Sequence, residues 1–326
     1  MVLGGILSAL IVLIALGVYV KLIWWADRYE KEPRELLATA ILLGAIPATF
    51  FSFFLETFIH LPSTFWGRLV DASLVTPLIE EGIKGLMLVL ICWLGFMEFD
   101  GLLDGLVYAA LIGFGFGMTE NFFYFLRVLH TYGWATWVFI VVLRQGIFGL
   151  NHAFYTAFTG VGCGLARERI SSPRAWVYPV LGYAFAVLTH ALHNGTLTLA
   201  ERSGGEIILT FLFDAAGLLL VVLILILAIL RQQRLIQQEL AEEVGATFSE
   251  GEYQLILASI GLRSHVDISR PKVWTQRRQL RQLAAELALK KRQLRKEGES
   301  RALRLRIAQL RAELATLFRS SETSEI

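Results

Sequence analysis

The chain has 326 residues, 55% of them apolar and 18% charged, with a mean hydropathy of +0.57. Soluble domains hold about 45–50% apolar and about 25% charged residues, so the composition argues against a water-soluble globule, a disordered chain and a nucleic-acid binder, and for a membrane protein. The net charge of +2 hides an asymmetry: residues 1–230 carry 12 Lys and Arg against 16 Asp and Glu, whereas residues 231–326 carry 18 against 12. A membrane domain over 1–230 is therefore expected to precede a basic, soluble, helical tail over 231–326.

A membrane-crossing helix needs about 20 mainly apolar residues. Seven stretches qualify, at roughly 2–23, 36–59, 72–95, 103–126, 144–165, 176–200 and 207–230. The first is read as a span and not as a cleaved signal, because it lacks a basic leader and runs on past Val20 into Lys21 and the Trp24-Trp25 anchor. The expected fold is thus all-α, a polytopic bundle of about seven spans. Basic residues choose its orientation: Arg28, Lys31 and Arg34 lie in the first loop, Arg167, Arg169 and Arg174 follow the fifth span, and the tail is basic, while the opposite loops offer only Arg68, Arg127 and Arg202. The positive-inside bias places the N-terminus outside and the tail in the cytoplasm. The loop from Met97 to Asp104 has no Lys or Arg and does not contribute. The apolar run from Trp134 to Gly164 is too long for one span and too short for two, so Trp134 to Leu143 is expected to lie as an interfacial helix, the span beginning at Arg144.

In the tail, Ser249 and Glu252 have capping-box spacing and open a helix to about Ile260. Leu303, Ile307, Leu310, Leu314 and Leu317 repeat at fours and threes, as do Leu280, Leu283 and Leu287, with Gly298 between the runs. That pattern is a coiled-coil-like hairpin or a dimerisation surface; a homo-oligomer contact, a cytoplasmic partner and anionic lipid are the occupants considered for it. Cys92 and Cys163 sit in apolar stretches and form neither a disulfide framework nor a thiolate metal site.

Ionisable side chains cost several kcal/mol at the centre of a bilayer and mark functional sites. They are few here: Glu80, Glu81 and Lys84 in span three, Glu120 in span four, His152 in span five, and His190, His193 and Asn194 in span six. Glu56 and Asp214 lie near span ends, where they can reach the interface, and His60 and His130 are assigned to loops. At about 1.5 Å per residue, Glu80, Glu120, His152 and His190 lie about 12, 9, 12 and 15 Å from the outer ends of their spans. Four helices therefore bring polar groups to one level. Glu80 and Lys84 are i,i+4 and face each other. Lys84 can keep one carboxylate ionised beside a neighbour suited to general base work. His190 and Asn194 are also i,i+4, and an imidazolium and an amide there can donate to a developing oxyanion. Gly113-Phe114-Gly115-Phe116-Gly117 gives span four a bare face for close helix packing. The competing assignment for Glu80, Glu81 and Lys84 is a buried ion pair that only fixes packing; for His152 and His190 it is a pair of satisfied core histidines, and His193 is set aside as supporting or lipid-facing. No His-Glu-x-x-His motif, Gly-x-Ser-Gly nucleophile or membrane Asp pair is present, which leaves glutamate with histidine.

These motifs resemble the PrsW family of bacterial intramembrane proteases, within the larger group of type II CAAX prenyl endopeptidases and bacteriocin-processing enzymes. The resemblance covers roughly residues 20–200 and rests on Asp27-Arg28-Tyr29-Glu30-Lys31-Glu32-Pro33, Glu80-Glu81-x-x-Lys84, Phe116-x-x-x-Glu120-Asn121, Asn151-His152 and His190-x-x-x-Asn194, in order on successive apolar helices. It implies Glu80 as the base that activates water, Glu81 as its partner, His190 with Asn194 at the oxyanion, and Glu120 and His152 in the site, with Lys84 and Asn121 in support. In the CAAX branch the glutamate pair is followed by an Arg at longer spacing, where this chain has Lys84, and Phe-x-x-x-His stands where this chain has Glu120. The family is often labelled metalloprotease. Glu80, Glu120, His152 and His190 can form a mixed carboxylate and imidazole zinc site with an open position, but the Lys84 charge opposes a cation, so no obligatory metal is expected.

The expected activity is endoproteolysis of membrane-tethered substrates, anti-sigma factors among them by resemblance, in a bacterial plasma membrane. A catalytically silent scaffold of the same fold is the alternative. A transporter predicts an inverted repeat, and no internal duplication is evident between spans one to three and four to six.

Overall fold

The computed structural model describes residues 2–26, 29, 31–95, 99–260, 271–298 and 300–322, and every regular element among them is helical. Asp27, Arg28 and Glu30 of the opening loop motif and Met97 of the neutral loop lie outside the described residues. The chain forms two compact units, residues 1–26 with 32–225, and residues 27–31 with 226–326.

The first unit contains α1 (Val2–Ala26), α2 (Arg34–Leu43), α3 (Thr49–Glu56), α4 (Phe65–Val70), α5 (Thr76–Leu94), α6 (Leu102–Val141), α7 (Asn151–Glu168), α8 (Val177–Ser203) and most of α9 (Glu206–Ala241). All seven apolar stretches of the sequence thus fall on helices. Among the described residues, four helical stretches are long and apolar enough to cross a membrane: Val2–Ala26, Arg34–Glu56, Leu102–Glu168 and Glu206–Ala241. Pro47 lacks the N–H that an α-helical turn would use, and the wider turn over Gly44–Ala48 absorbs it between α2 and α3.

Leu102–Glu168, 67 residues long, turns back on itself. Gly133 has φ 78°, a left-handed value that glycine adopts without penalty, and the chain reverses there. α1 records the reversal on both legs. A side chain at Gly4 would meet Leu129 and Trp134, the Trp137 indole N–H donates to Ser8 Oγ at 3.1 Å, and Tyr19 stacks on Phe114 at 4.7 Å while its hydroxyl donates to the Gln145 carbonyl at 3.2 Å. Residues 134–147 therefore descend alongside α1 and the upper half of α6. This corrects the expectation of an interfacial helix over Trp134 to Leu143: the indole N–H is satisfied by Ser8, and Trp137 is buried in a cluster with Val12, Met118, Phe125, Val128 and Leu129, so the segment gains nothing from lying flat. His130, expected in a loop, is exposed on α6.

After a break at 148–150, α7 continues the descent antiparallel to α6. The glycine run brings helices to backbone contact: a side chain at Gly113 would strike the His152 carbonyl at 2.4 Å, one at Gly115 the Ile41 carbonyl on α2 at 2.1 Å, and one at Gly117 the His152 ring at 2.9 Å. One bare face thus serves α7 and the other α2. Gly105 and Gly160 repeat the device lower down, each meeting the other's carbonyl at just over 2 Å.

The second unit contains the tail together with the end of α9. Ser249 Oγ accepts from the Glu252 amide at 3.3 Å and Glu252 accepts from the Ser249 amide at 2.5 Å, the capping box that opens α10 (Glu250–Ile260). α11 (Pro271–Glu297) and α12 (Arg301–Glu322) form the expected hairpin, turned at Gly298 (φ 84°), with Leu280, Leu287, Leu303, Ile307, Leu310 and Leu314 buried. Leu283 and Leu317 are only half-buried, and Phe318 is buried beside them. Glu243 is buried under two bonds from Arg311, both 2.8 Å, and one from Lys291 at 2.7 Å.

Burial alone raises the Glu243 carboxyl, but the bonds from Arg311, Lys291 and Thr247 outweigh it and hold it at about 2. A depressed carboxyl contributes stability above its ordinary value near 4.5 and loses it as pH falls toward about 2. Glu243→Gln is expected to destabilise the tail by about 1–3 kcal/mol at pH 7, with the difference from wild type shrinking below pH 4.5. Denaturant unfolding of the full-length protein, followed by a fluorophore on the α11–α12 turn, measures it.

Candidate active site

On α5 the spacing Glu80-Glu81-x-x-Lys84 sets two carboxylates and an ammonium on one helix face. Neither Lys84 nor Glu81 has any exposed side-chain surface, and Glu80 has 5%. Lys84 Nζ donates to Glu80 Oε2 at 3.1 Å and to Glu81 Oε1 at 2.8 Å, and contacts His152 Nδ1 at 3.0 Å. An ammonium has three donors and no acceptor, so these bonds use all of them. Phe116, from the glycine run on α6, closes the floor with its ring centroid 3.8 Å from Nζ.

The third bond fixes the His152 tautomer. Nδ1 faces an ammonium and must accept, so the ring proton sits on Nε2, which donates to Glu120 Oε2 at 2.8 Å. Glu120 also receives Arg144 at 2.9 Å. The Gly133 reversal makes that pair, because it returns residue 144 to the level of residue 120. Arg144 Nε donates to Asn121 Oδ1 at 2.8 Å, and Asn121 Nδ2 to Gln145 Oε1 at 3.3 Å. Asn121 thus ties the descending segment to α6.

The glutamates differ in what remains free. Both Glu81 oxygens have partners: Oε1 accepts from Lys84 and is 3.1 Å from His190 Nδ1, and Oε2 lies 3.0 Å from the Thr156 hydroxyl, whose single proton is shared with the His152 carbonyl at 2.9 Å. Glu80 has one hydrogen bond, on Oε2. Its Oε2 lies 3.8 Å from His152 Nδ1 and 4.0 Å from His190 Nε2, beyond direct bonding, and among the described residues its Oε1 has no partner. His190 is held by stacking on Tyr155, with centroids 4.7 Å apart and planes at 13°.

Glu80, Glu81, Lys84, Glu120, Asn121, His152 and His190 are therefore joined in one network across α5, α6, α7 and α8. Asn194 is not. It is half-buried and its amide makes no side-chain hydrogen bond among the described residues; only its carbonyl is used, by Thr198. The four donors within 4.8 Å of one another are those of Glu80, Glu81, His152 and His190, so Glu81 takes the place expected for Glu120, which sits on the far side of His152. Arg144 and Thr156 belong to the network and were not singled out from sequence. Asp214, expected near the interface, is buried and bonded to His193 at 2.7 Å and Asn151 at 3.0 Å.

Residues 32–230, more than half of the chain, match the family described as PrsW family intramembrane metalloprotease. The chain belongs to the PrsW family. It is 25% identical over 183 residues to Protease PrsW of Geobacillus kaustophilus (strain HTA426), covering 55% of this chain and 74% of that protein. No solved structure matches. As a PrsW family member it is a membrane-embedded peptidase, and the network lies wholly inside the matched residues.

The buried charges predict a stability test. Removing one partner of a buried ion pair costs about 3–5 kcal/mol, because the other charge is left uncompensated. Lys84→Met is expected to lower the unfolding midpoint in detergent markedly, and Lys84→Met combined with Glu80→Gln and Glu81→Gln to restore most of it. Circular dichroism melts read both.

Proposed function

We propose that the chain is a glutamate-dependent intramembrane endopeptidase with seven membrane crossings, its tail on the cytoplasmic side of a bacterial plasma membrane. It hydrolyses a peptide bond of a membrane-tethered protein; the anti-sigma-factor class is the substrate class carried over from the family resemblance. The observation that carries this reading is the unequal partnering of the two glutamates. Glu81 has partners at both oxygens, in Lys84, Thr156 and His190. Of the three glutamates of the network, Glu80 keeps an oxygen without a hydrogen-bond partner among the described residues, which leaves it a carboxylate able to accept a proton from water.

In this mechanism Glu80 takes a proton from a water as its oxygen bonds to the scissile carbonyl carbon. The carbonyl becomes a tetrahedral oxyanion, and the charge is met by His190 Nε2, which faces the Glu80 carboxylate at 4.0 Å. The C–N bond then breaks as the proton passes from Glu80 to the leaving amine. Lys84 keeps the geometry but has no donor left for the oxyanion. Three carboxylates, Glu80, Glu81 and Glu120, face two cations, Lys84 and Arg144, and this mechanism takes one further proton, on His190 Nε2, to meet the oxyanion.

The family description includes a metal, and Glu80, Glu81, His152 and His190 offer zinc-type donors. As arranged they do not fit one. Lys84 Nζ lies 2.8–3.1 Å from three of the four residues and supplies at their centre the positive charge a metal would bring. No step is therefore assigned to a metal.

The test is cleavage of a library of single-pass substrates in proteoliposomes. Glu80→Gln is expected to lower cleavage by about 100-fold or more, and cleavage equal to wild type would remove the assignment. EDTA and 1,10-phenanthroline are expected to change the wild-type rate less than twofold. Loss of activity that zinc restores would overturn the metal-free mechanism.

A further inference from the structure

Outside the network just described, the first unit buries a second polar cluster that no step above uses. Asp214 on α9 accepts at Oδ2 from Asn151 Nδ2 at 3.0 Å and pairs at the same oxygen with His193 Nδ1 at 2.7 Å. Because a carboxylate accepts, the His193 proton is on Nδ1. Asp214 is 7% exposed and its Oδ1 has no partner among the described residues. An ionisable pair at such a place in an apolar helix is costly, and α9 does not need it to stay attached. Thr196 and Thr210 hydroxyls meet at 2.7 Å between α8 and α9, Gly217 lets Phe154 approach closely, and Leu218, Val221 and Ile224 pack on the cluster of Phe154, Tyr155, Phe158 and Ala186.

The place of the partners in sequence gives the cluster a use. Asn151 immediately precedes His152, and His193 lies one helical turn after His190. Tyr155, whose ring stacks on His190, also lies 6.1 Å from the His193 ring, and Phe148 closes edge-on at 5.1 Å from the other side. We propose that Asp214 is a positioning residue: through Asn151 and His193 it fixes the first turn of α7 against α8, and with it the separation of the two imidazoles that face Glu80. This rests on the peptidase reading above.

Oδ2 makes both bonds and Oδ1 makes none, so an amide oxygen can replace the carboxylate. Asp214→Asn is expected to keep kcat within about threefold. Asp214→Leu removes the acceptor and is expected to lower kcat at least tenfold, since small misplacements of reacting groups carry losses of about 100-fold, while KM stays within about twofold. Its unfolding midpoint is expected to fall, because the buried Asn151 and His193 donors lose their acceptor, so kcat is compared at a temperature where circular dichroism shows the variant fully folded. Asn151→Leu withdraws the donor from the opposite side; it should lower kcat similarly and show little added effect in combination with Asp214→Leu.

The assay uses the full-length protein in liposomes with the best-cleaved member of the single-pass library, beside Glu80→Gln. Wild-type kcat in Asp214→Leu, a loss confined to KM, a loss no larger than the unfolded fraction at the assay temperature, or an Asn variant as impaired as Leu would each overturn the proposal. If Glu80→Gln is inactive while Asp214→Leu is wild-type, only this inference falls. If Glu80→Gln is active, the peptidase site and this inference fall together.

Discussion

A lysine ammonium without exposed surface can persist in a membrane protein only if every one of its protons is bonded. Lys84 meets that condition with Glu80, Glu81 and His152, and much of the interior follows from it. The bond to His152 fixes the proton of that ring, the ring then directs Glu120, and Glu120 gives Arg144 its partner. The two bonds to α5 hold the glutamates in unequal states, one with partners at both oxygens and one with an oxygen to offer. A single desolvated cation thus organises the charges on four helices, at a desolvation cost of several kcal/mol that good geometry alone offsets.

Helix packing serves the same end. Gly113 and Gly117 let α7 approach until His152 lies against the α6 backbone, while Gly115 admits α2 on the other side. Larger residues would push the imidazole out of reach of both Lys84 and Glu120, bonds of 3.0 and 2.8 Å. The alternation of glycine and phenylalanine is therefore a distance constraint on the site as well as a packing device, with Phe116 the ring beneath the ammonium.

What the sequence revealed and what it hid divide along physical lines. Glu80, Glu81, Lys84, Glu120, His152 and His190 stand out because charge is rare in apolar stretches, and helical rise places them at one level without any knowledge of neighbours. Asn194 shows the limit of that argument: four residues share a face but lie about 6 Å apart along the axis, so the amide points past the cluster. Arg144 was hidden because an apolar run carries no mark of a reversal beyond one glycine among many. Asp214 reads from sequence as a residue near a span end, and its pairing stays hidden because its partners Asn151 and His193 come from other helices. In the tail, local signals sufficed, since a capping box, a leucine repeat and a glycine turn act within a few residues of one another.

The first helix leaves the ribosome long before the groups that complete it. Its Ser8 and Tyr19 bond to Trp137 and Gln145, separated from them by 129 and 126 positions, so during synthesis α1 is made well before the partners of these two hydroxyls. It can dock only once the α6 hairpin has been threaded into the bilayer. Chains are made from the N-terminus forward, and the order of assembly therefore differs from the order of translation: α1 closes on the bundle only after the α6 hairpin is in place.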